Sequence, residues 1–398
     1  MSIREFTAFV AILMSLVAIS IDALLPAFGV MASALDVSDP NRVQLVISAL
    51  FLGLAMGQLV CGPLSDAFGR KPVLFVALSV YFVGTVVCYL ASSLEMLLLG
   101  RWIQGLGVAG PNIAAVSLVR DRYKGREMAR IMSLVMMIFI MVPTLAPALG
   151  QAILLIADWR AIFVLYFIYA MLILGWIYCR LSESLPADKR IPFRAARLAA
   201  GFREVLSNRS TTSLMVCMGM VFGCLIGYIN SCQQIIQVQF GAGKMFSVYF
   251  GMLALLLGVS SMCNSRLVER LGMHFIASRA FSMIVVSSFT FLVLQQFIDI
   301  TLWMFLLYAA TLFGSFGFIF GNLNAMAMEP MGHLAGIASA VIGSTSSLMS
   351  ISLGTLIGQL YDGSVMPITT GALILGSLAW LLLQYANGHK QLSESVPS

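Results

Sequence analysis

Charge is what this chain has least of. Only 10% of its 398 residues are Asp, Glu, Lys or Arg, against about 25% in an ordinary soluble domain. With 60% hydrophobic residues and a mean hydropathy of +0.96, there is more apolar surface than a water-soluble core hides. That excludes a soluble globular protein and leaves an integral membrane protein. Metal-site spacings are also missing: no Cys/His arrangement suits a zinc or iron centre. The seven cysteines (61, 88, 179, 217, 224, 232, 263) lie in or at the ends of apolar runs and read as packing residues. The three histidines (His274, His333, His389) read as solvated loop residues, so no metal is expected. No Walker-type phosphate loop occurs, which argues against direct drive by ATP. No catalytic constellation points to an enzyme. The alternating segments of about ten residues that mark a membrane β-barrel are absent too.

What the chain does have is apolar runs of about 20 residues, the length that carries a helix across about 30 Å of hydrocarbon. They cover 6–29, 43–63, 73–91, 96–119, 130–156 and 161–180, then resume at 212–238, 245–264, 275–297, 302–325, 335–360 and 367–387. This predicts an all-α membrane protein of twelve transmembrane helices in two six-helix bundles. The first run is longer than the apolar stretch of a secretory signal, about 7–15 residues, and reads as an uncleaved helix. All but four of the 23 Lys and Arg (Arg42, Arg101, Arg160 and Lys244) fall in alternate loops or the terminal segments, on one side of such a bundle. The positive-inside rule puts that side, with both termini, in the cytoplasm. The net charge of +6 is then accounted for by topology and anionic lipid, with no nucleic-acid partner.

The expected organisation is a bundle over 1–180, a cytoplasmic linker over 181–211, a second bundle over 212–387 and a cytoplasmic tail over 388–398. In the linker, Ile191, Arg194, Leu198, Phe202, Val205 and Leu206 recur near helical spacing, which suits an interfacial helix. The halves echo each other. "GPLSDAFGRKP" (Gly62–Pro72) and "SRLVERLGMHF" (Ser265–Phe275) place Asp66 and Gly69 in register with Glu269 and Gly272, each 203 residues on. Such half-chain repeats occur in transporters that hold substrate between their bundles.

At these residues the chain resembles the major facilitator superfamily. Gly62, Asp66, Gly69, Arg70, Lys71 and Pro72 match its loop 2–3 signature. The resemblance implies that these residues, with Glu269, act as a conformational latch. "LLLGRWIQGLGVAG" (Leu97–Gly110) in helix 4, with Arg101, Gln104 and Gly105, is similar to a second signature. "VPTLAPALGQA" (Val142–Ala152) in helix 5, with Pro143, Pro147 and Gly150, is similar to the signature of antiporters, with Ala146 and Gln151 where that pattern has glycines. "IDALLP" in helix 1, "DWRAIF" before helix 6 and "AGIASAVIG" in helix 11 resemble the Bcr/CflA drug-resistance group. The group implies proton-coupled drug efflux across a bacterial inner membrane by alternating access.

Few ionisable groups sit inside the runs, where an isolated charge costs several kcal/mol. Asp22 lies about 10 Å below the outer end of helix 1, and Arg101 about 8 Å below the outer end of helix 4, at about 1.5 Å per residue. An ion pair between them is expected, with the Asp22 carbonyl freed by Pro26, which has no N–H. Asp22 is the candidate proton or substrate site, against the alternative of a structural charge pair. Glu329 reads as a solvated loop residue. Tyr228, Asn230, Gln233, Gln234 and Gln237 of helix 7, with Asn322 and Asn324 of helix 10, are expected to line a wet cavity. Helix–helix hydrogen bonding is the alternative for each. The transporter is expected to need no cofactor beyond a proton gradient and to work as a monomer in lipid on a small-molecule substrate. Two further readings stay open: transport of one polar metabolite (a siderophore, sugar or amino acid), and a non-transporting receptor on the same fold.

Overall fold

The computed structural model describes residues 1–190 and 195–394. Twelve of its helices are long and apolar enough to cross a membrane, and no strand occurs among the described residues. The protein is a multi-pass membrane protein.

The spanning helices of the first unit, Met1–Arg194, are α1 (Ile3–Asp22, then a 3-10 turn Leu25–Ala27 and a short helix Phe28–Ala34), α2 (Leu45–Phe68), α3 (Arg70–Tyr89), α4 (Leu94–Arg122), α5 (Gly125–Leu154) and α6 (Arg160–Arg180). Those of the second unit, Ala195–Ser398, are α7 (Arg209–Gln233, passing into a π-helical turn Gln234–Gln239), α8 (Phe246–Leu271), α9 (Met273–Leu294), α10 (Leu302–Met328), α11 (Ala335–Gln359) and α12 (Met366–Glu394). The division falls inside the stretch expected as a linker.

Local chemistry sets the helix ends. Ser2 and Glu5 form a capping box at the start of α1. The hydroxyls of Ser93 and Thr301 cap α4 and α10 by accepting from the backbone N–H three residues on. In the first unit α4 is the hub. A Cβ at Gly105 would strike the Leu50 carbonyl of α2, and one at Gly107 would strike the Tyr81 backbone of α3. Only glycine permits backbones this close, and close van der Waals packing is what holds helices together in lipid. The second unit repeats the plan, with Gly317 of α10 against the Leu257 carbonyl of α8 and Tyr308 of α10 stacked at 4.5 Å on Phe291 of α9.

Of the linker's expected interfacial helix, Ala195–Ser207 is helical. Its Gly201 faces Ile337 of α11, and Val205 is buried, so this helix packs on the second unit. Ile191 and Arg194 lie outside the described residues. The helix α12 runs to Glu394, past the expected boundary at 387.

Candidate functional site

The aspartate of helix 1 marks a break. The regular turns of α1 end at Asp22, and the 3-10 turn that follows contains Pro26. Backbone bonds across the break run from Ala23 N–H to the Ile19 carbonyl, Leu24 N–H to Ile21 and Ala27 N–H to Leu24, stepping over the Asp22 carbonyl as proline's missing N–H requires. Against this break sits Gly150 of α5, where a Cβ would collide with the Ala23 carbonyl. The helix α5 passes through Pro143 and Pro147 without interruption, so the antiporter-like segment presents its glycine to the residue after Asp22.

Asp22 is buried, with 5% of its surface exposed. The expected ion pair with Arg101 is not formed. Arg101 is fully buried and spends its guanidinium elsewhere. Nη2 donates to the Ser20 carbonyl at 2.7 Å, Nη1 to Gln104 Oε1 at 2.6 Å and Nε to the Val46 carbonyl at 3.3 Å. Gln104 then donates to Thr85 Oγ1 at 2.9 Å, and Ser20 and Tyr81 share a hydroxyl hydrogen bond at 2.7 Å. One arginine thus ties α1, α2, α3 and α4 together. The reason it misses Asp22 is rotational phase. Residues advance about 100° each around a helix, so with Ser20 turned toward Tyr81, Asp22 points about 200° away. Among the described residues no ion pair includes Asp22. Tyr166 of α6, which the sequence reading passed over, is within electrostatic reach of both Asp22 and Arg101, and its buried hydroxyl has no hydrogen-bond partner.

In the second unit the expected polar group is split. The Tyr228 ring lies among Phe250, Phe305 and Phe313, nearest to Phe313 at 4.9 Å, and its hydroxyl is buried and unpartnered. Asn230 donates to the Gly354 carbonyl at 3.4 Å while its Oδ1 stays unpartnered. Gln233 donates to Gln237 one turn on at 2.8 Å, and Gln234 is buried. Asn322 is buried in a reciprocal amide pair with Asn264 of α8, at 2.9 and 3.2 Å, and Asn324 is exposed. The amide of Asn322 is therefore committed to helix pairing rather than to a cavity shared with α7. Asn264 gave no signal in the sequence because its partner is 58 residues away.

The loop 2–3 signature folds as a charge cluster. Gly69 takes φ +102°, a conformation that favours glycine, and turns α2 into α3. Arg70, though 3% exposed, is matched by Asp66 at 2.6 Å and Asp121 at 2.9 Å. Gly62 lies 3.9 Å, at its nearest, from Ile113 of α4, measured from the position a Cβ would take. Two acids unforeseen in the sequence complete the cluster. Asp121 is one. Glu183, after α6, is the other: its carboxylate accepts the backbone N–H groups of Arg70 at 2.9 Å and Lys71 at 3.0 Å. Partial burial opposes its ionisation, but these bonds, with those from Leu185 and Ser184, hold its carboxyl below the ordinary glutamate value. Lys71 Nζ donates to the Leu181 carbonyl at 2.7 Å. Glu269, the counterpart of Asp66, is exposed. The position matching Arg70 is Met273, so no cation stands there, and among the described residues no ion pair includes Glu269.

Two packing expectations need correction. His274 is half-buried rather than solvated, and its Nε2 is enclosed without a partner. Cys179 and Cys263 are exposed because they lie on outward faces of their helices. Glu329 is exposed, as expected of a loop residue, and the side chains of His333 and His389 lie outside the described residues.

Comparison with known proteins agrees with this architecture. The chain is 27% identical over 386 residues to a bicyclomycin resistance protein homolog of Haemophilus influenzae, covering 96% of each. It is 25% identical over 383 residues to multidrug resistance protein D of Escherichia coli, covering 92% of each. Its fold matches the crystal structure of a D-xylose-proton symporter with a TM-score of 0.75 at 15% identity, covering 97% of each chain. The family model described as Major Facilitator Superfamily matches residues 10–355. Twelve helices in two repeated units, a loop 2–3 charge cluster and this match over most of the chain converge: the protein is a transporter, not an enzyme, and belongs to the major facilitator superfamily.

Proposed function

We propose that the protein is a proton-coupled antiporter that exports drugs or other small amphipathic molecules across a bacterial inner membrane, with both termini in the cytoplasm. Similarity to the two drug-resistance proteins supports the substrate class, and the distribution of Lys and Arg supports the orientation. The observation that carries the coupling is the state of Asp22, a carboxylate buried at a helix break with no ion pair. A charge so placed is costly unless neutralised. Asp22 binds a proton in one state and yields it, or exchanges it for a cationic substrate, in the other. Arg101, satisfied by two carbonyls and an amide, holds the helices in register around it. The proton gradient is the only driving force and no cofactor takes part; the transporter works as a monomer in lipid.

Purified protein in proteoliposomes with an imposed pH gradient tests this against a panel of drugs and metabolites. Gradient-driven movement of several unrelated amphipaths is expected, and drug movement indifferent to the gradient refutes the coupling. A second reading, transport of one polar metabolite, is favoured by the unpartnered buried groups Tyr228 Oη, Asn230 Oδ1 and Ser231 Oγ of α7, since buried polar atoms require hydrogen-bond partners. Movement of a single polar solute from the same panel selects it.

A further inference from the structure

We propose that Tyr166 of α6 is a positioning residue for the proton site: when Asp22 gives up its proton, the Tyr166 hydroxyl donates a hydrogen bond to the carboxylate left behind. The proposal rests on the reading of Asp22 as the proton-binding group. It begins with two polar groups that the fold encloses without partners. Tyr166 is fully buried, and its hydroxyl has no hydrogen-bond partner. Asp22 is buried in α1 and enters no ion pair among the described residues. Buried polar atoms ordinarily have partners, and an orphan hydroxyl costs stability. Phenylalanine would fill the same space without that cost, so the hydroxyl has its use in a state other than this one.

The surroundings of Tyr166 leave one partner open to it. The titratable groups within its electrostatic reach are Arg101 of α4, Tyr81 and Cys88 of α3, and Asp22 of α1. Arg101 is committed to the Ser20 and Val46 carbonyls and to Gln104. Tyr81 shares its hydrogen bond with Ser20, and the Cys88 thiol donates to the Leu97 carbonyl at 3.8 Å. Among these groups only the Asp22 carboxyl makes no hydrogen bond. Helix direction also favours the meeting. The helices α1 and α6 run antiparallel: Arg180 pairs with Glu5 at 2.8 Å, Trp176 meets Phe9 at 5.7 Å, and Tyr169 Oη donates to the Ile12 carbonyl at 3.2 Å. Carried on from that last contact at equal rise per residue, Asp22 lies nearer the N-terminal end of α6 than Tyr166 does. Long side chains lean toward the N-terminus of their own helix, so in this antiparallel pair the Tyr166 hydroxyl and the Asp22 carboxyl lean toward one another. The break directly after Asp22 supplies the local bend by which the remaining gap closes.

The chemistry of the two groups is complementary. An ionised carboxylate only accepts hydrogen bonds, and a phenol can donate one. A donor to the carboxylate favours its charged form. With its proton on, Asp22 is neutral and tolerates burial. Once that proton passes to water, the bond from Tyr166 replaces part of the solvation the carboxylate lacks. Tyr166 keeps its own proton throughout. It sets how readily Asp22 lets go and does not carry the transported proton.

Infrared spectroscopy of the full chain in dodecyl maltoside, a detergent with no carbonyl group, tests this by following the C=O band of protonated carboxyls across pH. The titrating band that Asp22→Asn removes belongs to Asp22. Tyr166→Phe keeps the ring and its edge-on contact with Phe163 and removes only the hydroxyl. In this variant the midpoint of the Asp22 band is expected to rise by about one pH unit or more, a tenfold gain in proton affinity. Tyr169→Phe removes a hydroxyl already engaged with α1 and is expected to leave the midpoint in place. Thermal unfolding, measured where the Asp22 band is complete, separates positioning from structural support. There Tyr166→Phe should unfold no lower than the wild type, because the lost hydroxyl has no partner. An unmoved midpoint in Tyr166→Phe overturns the role of Tyr166 and leaves Asp22 standing as the proton site. An equal shift from Tyr169→Phe overturns it too, by tracing the change to α6 packing, as does a clear fall in the unfolding temperature of Tyr166→Phe. If Asp22→Asn removes no titrating band, the proton site itself is lost and this proposal with it.

Discussion

Asp22 and Arg101 carry opposite charges at similar depth in neighbouring helices, yet each has a separate task. Arg101 replaces water around three backbone and side-chain acceptors. Arg101→Met leaves those acceptors buried without donors, at about 1–3 kcal/mol each, and is expected to lower the thermal unfolding temperature in detergent. Arg101→Lys should recover part of the loss. If the two residues are independent, their effects on stability add. A double-mutant cycle of Asp22→Asn with Arg101→Lys should give an interaction of less than about 0.5 kcal/mol. A coupling of 2 kcal/mol, on the order expected of a buried ion pair, would restore the pairing read from the sequence. That pairing was a reasonable expectation, since depth is legible from residue counts. Rotational phase is not, because it depends on which neighbours Ser20 and Tyr81 select.

At the scale of the element, α5 against the α1 break is the contact most open to test. Gly150→Leu must displace the Ala23 carbonyl and is expected to abolish transport and reduce folded yield. Gly175→Leu in α6, with nothing within 4 Å of the added Cβ position, should be neutral in both measurements. The α3 N-terminus supplies a pH-dependent contact. Because the Glu183 carboxyl is lowered in the folded protein, its stabilisation is complete above the ordinary carboxylate range and is lost as pH falls through its own lower value. Thermal unfolding followed from neutral pH into acid should therefore show a drop that Glu183→Gln makes shallower, with the difference vanishing at the lowest pH. Glu183 and Asp121 were illegible in the sequence for one reason. Their partners, Arg70 and Lys71, are 51 to 113 residues away, and only the folded turn at Gly69 brings them together.

At the scale of the molecule, the sequence was most informative where the physics is local. Span length and hydropathy required only windows of the chain, so all twelve helices were readable, as was the break at Pro26. The repeat of Gly69 in Gly272 was readable as well. Its chemistry was not, because Met273 in place of Arg70 removes the cation that would have paired with Glu269. The α7 polar cluster shows the same limit: residue type announced polarity, but helix contacts decided that Asn322 pairs with Asn264 and that the Tyr228 hydroxyl is enclosed by phenylalanines. Each unit is built around a glycine-lined hub helix, and the proposed coupling confines the proton-linked event to one residue of one unit.

That event is tested most directly by Asp22→Asn reconstituted in proteoliposomes, measuring drug uptake and release with and without an imposed pH gradient. The carboxamide preserves the size of the side chain and removes its titration. The account predicts that the variant folds with a near-normal unfolding temperature, still binds or exchanges drug without a gradient, and loses gradient-driven accumulation. Accumulation driven by the gradient at the wild-type level in Asp22→Asn would contradict it.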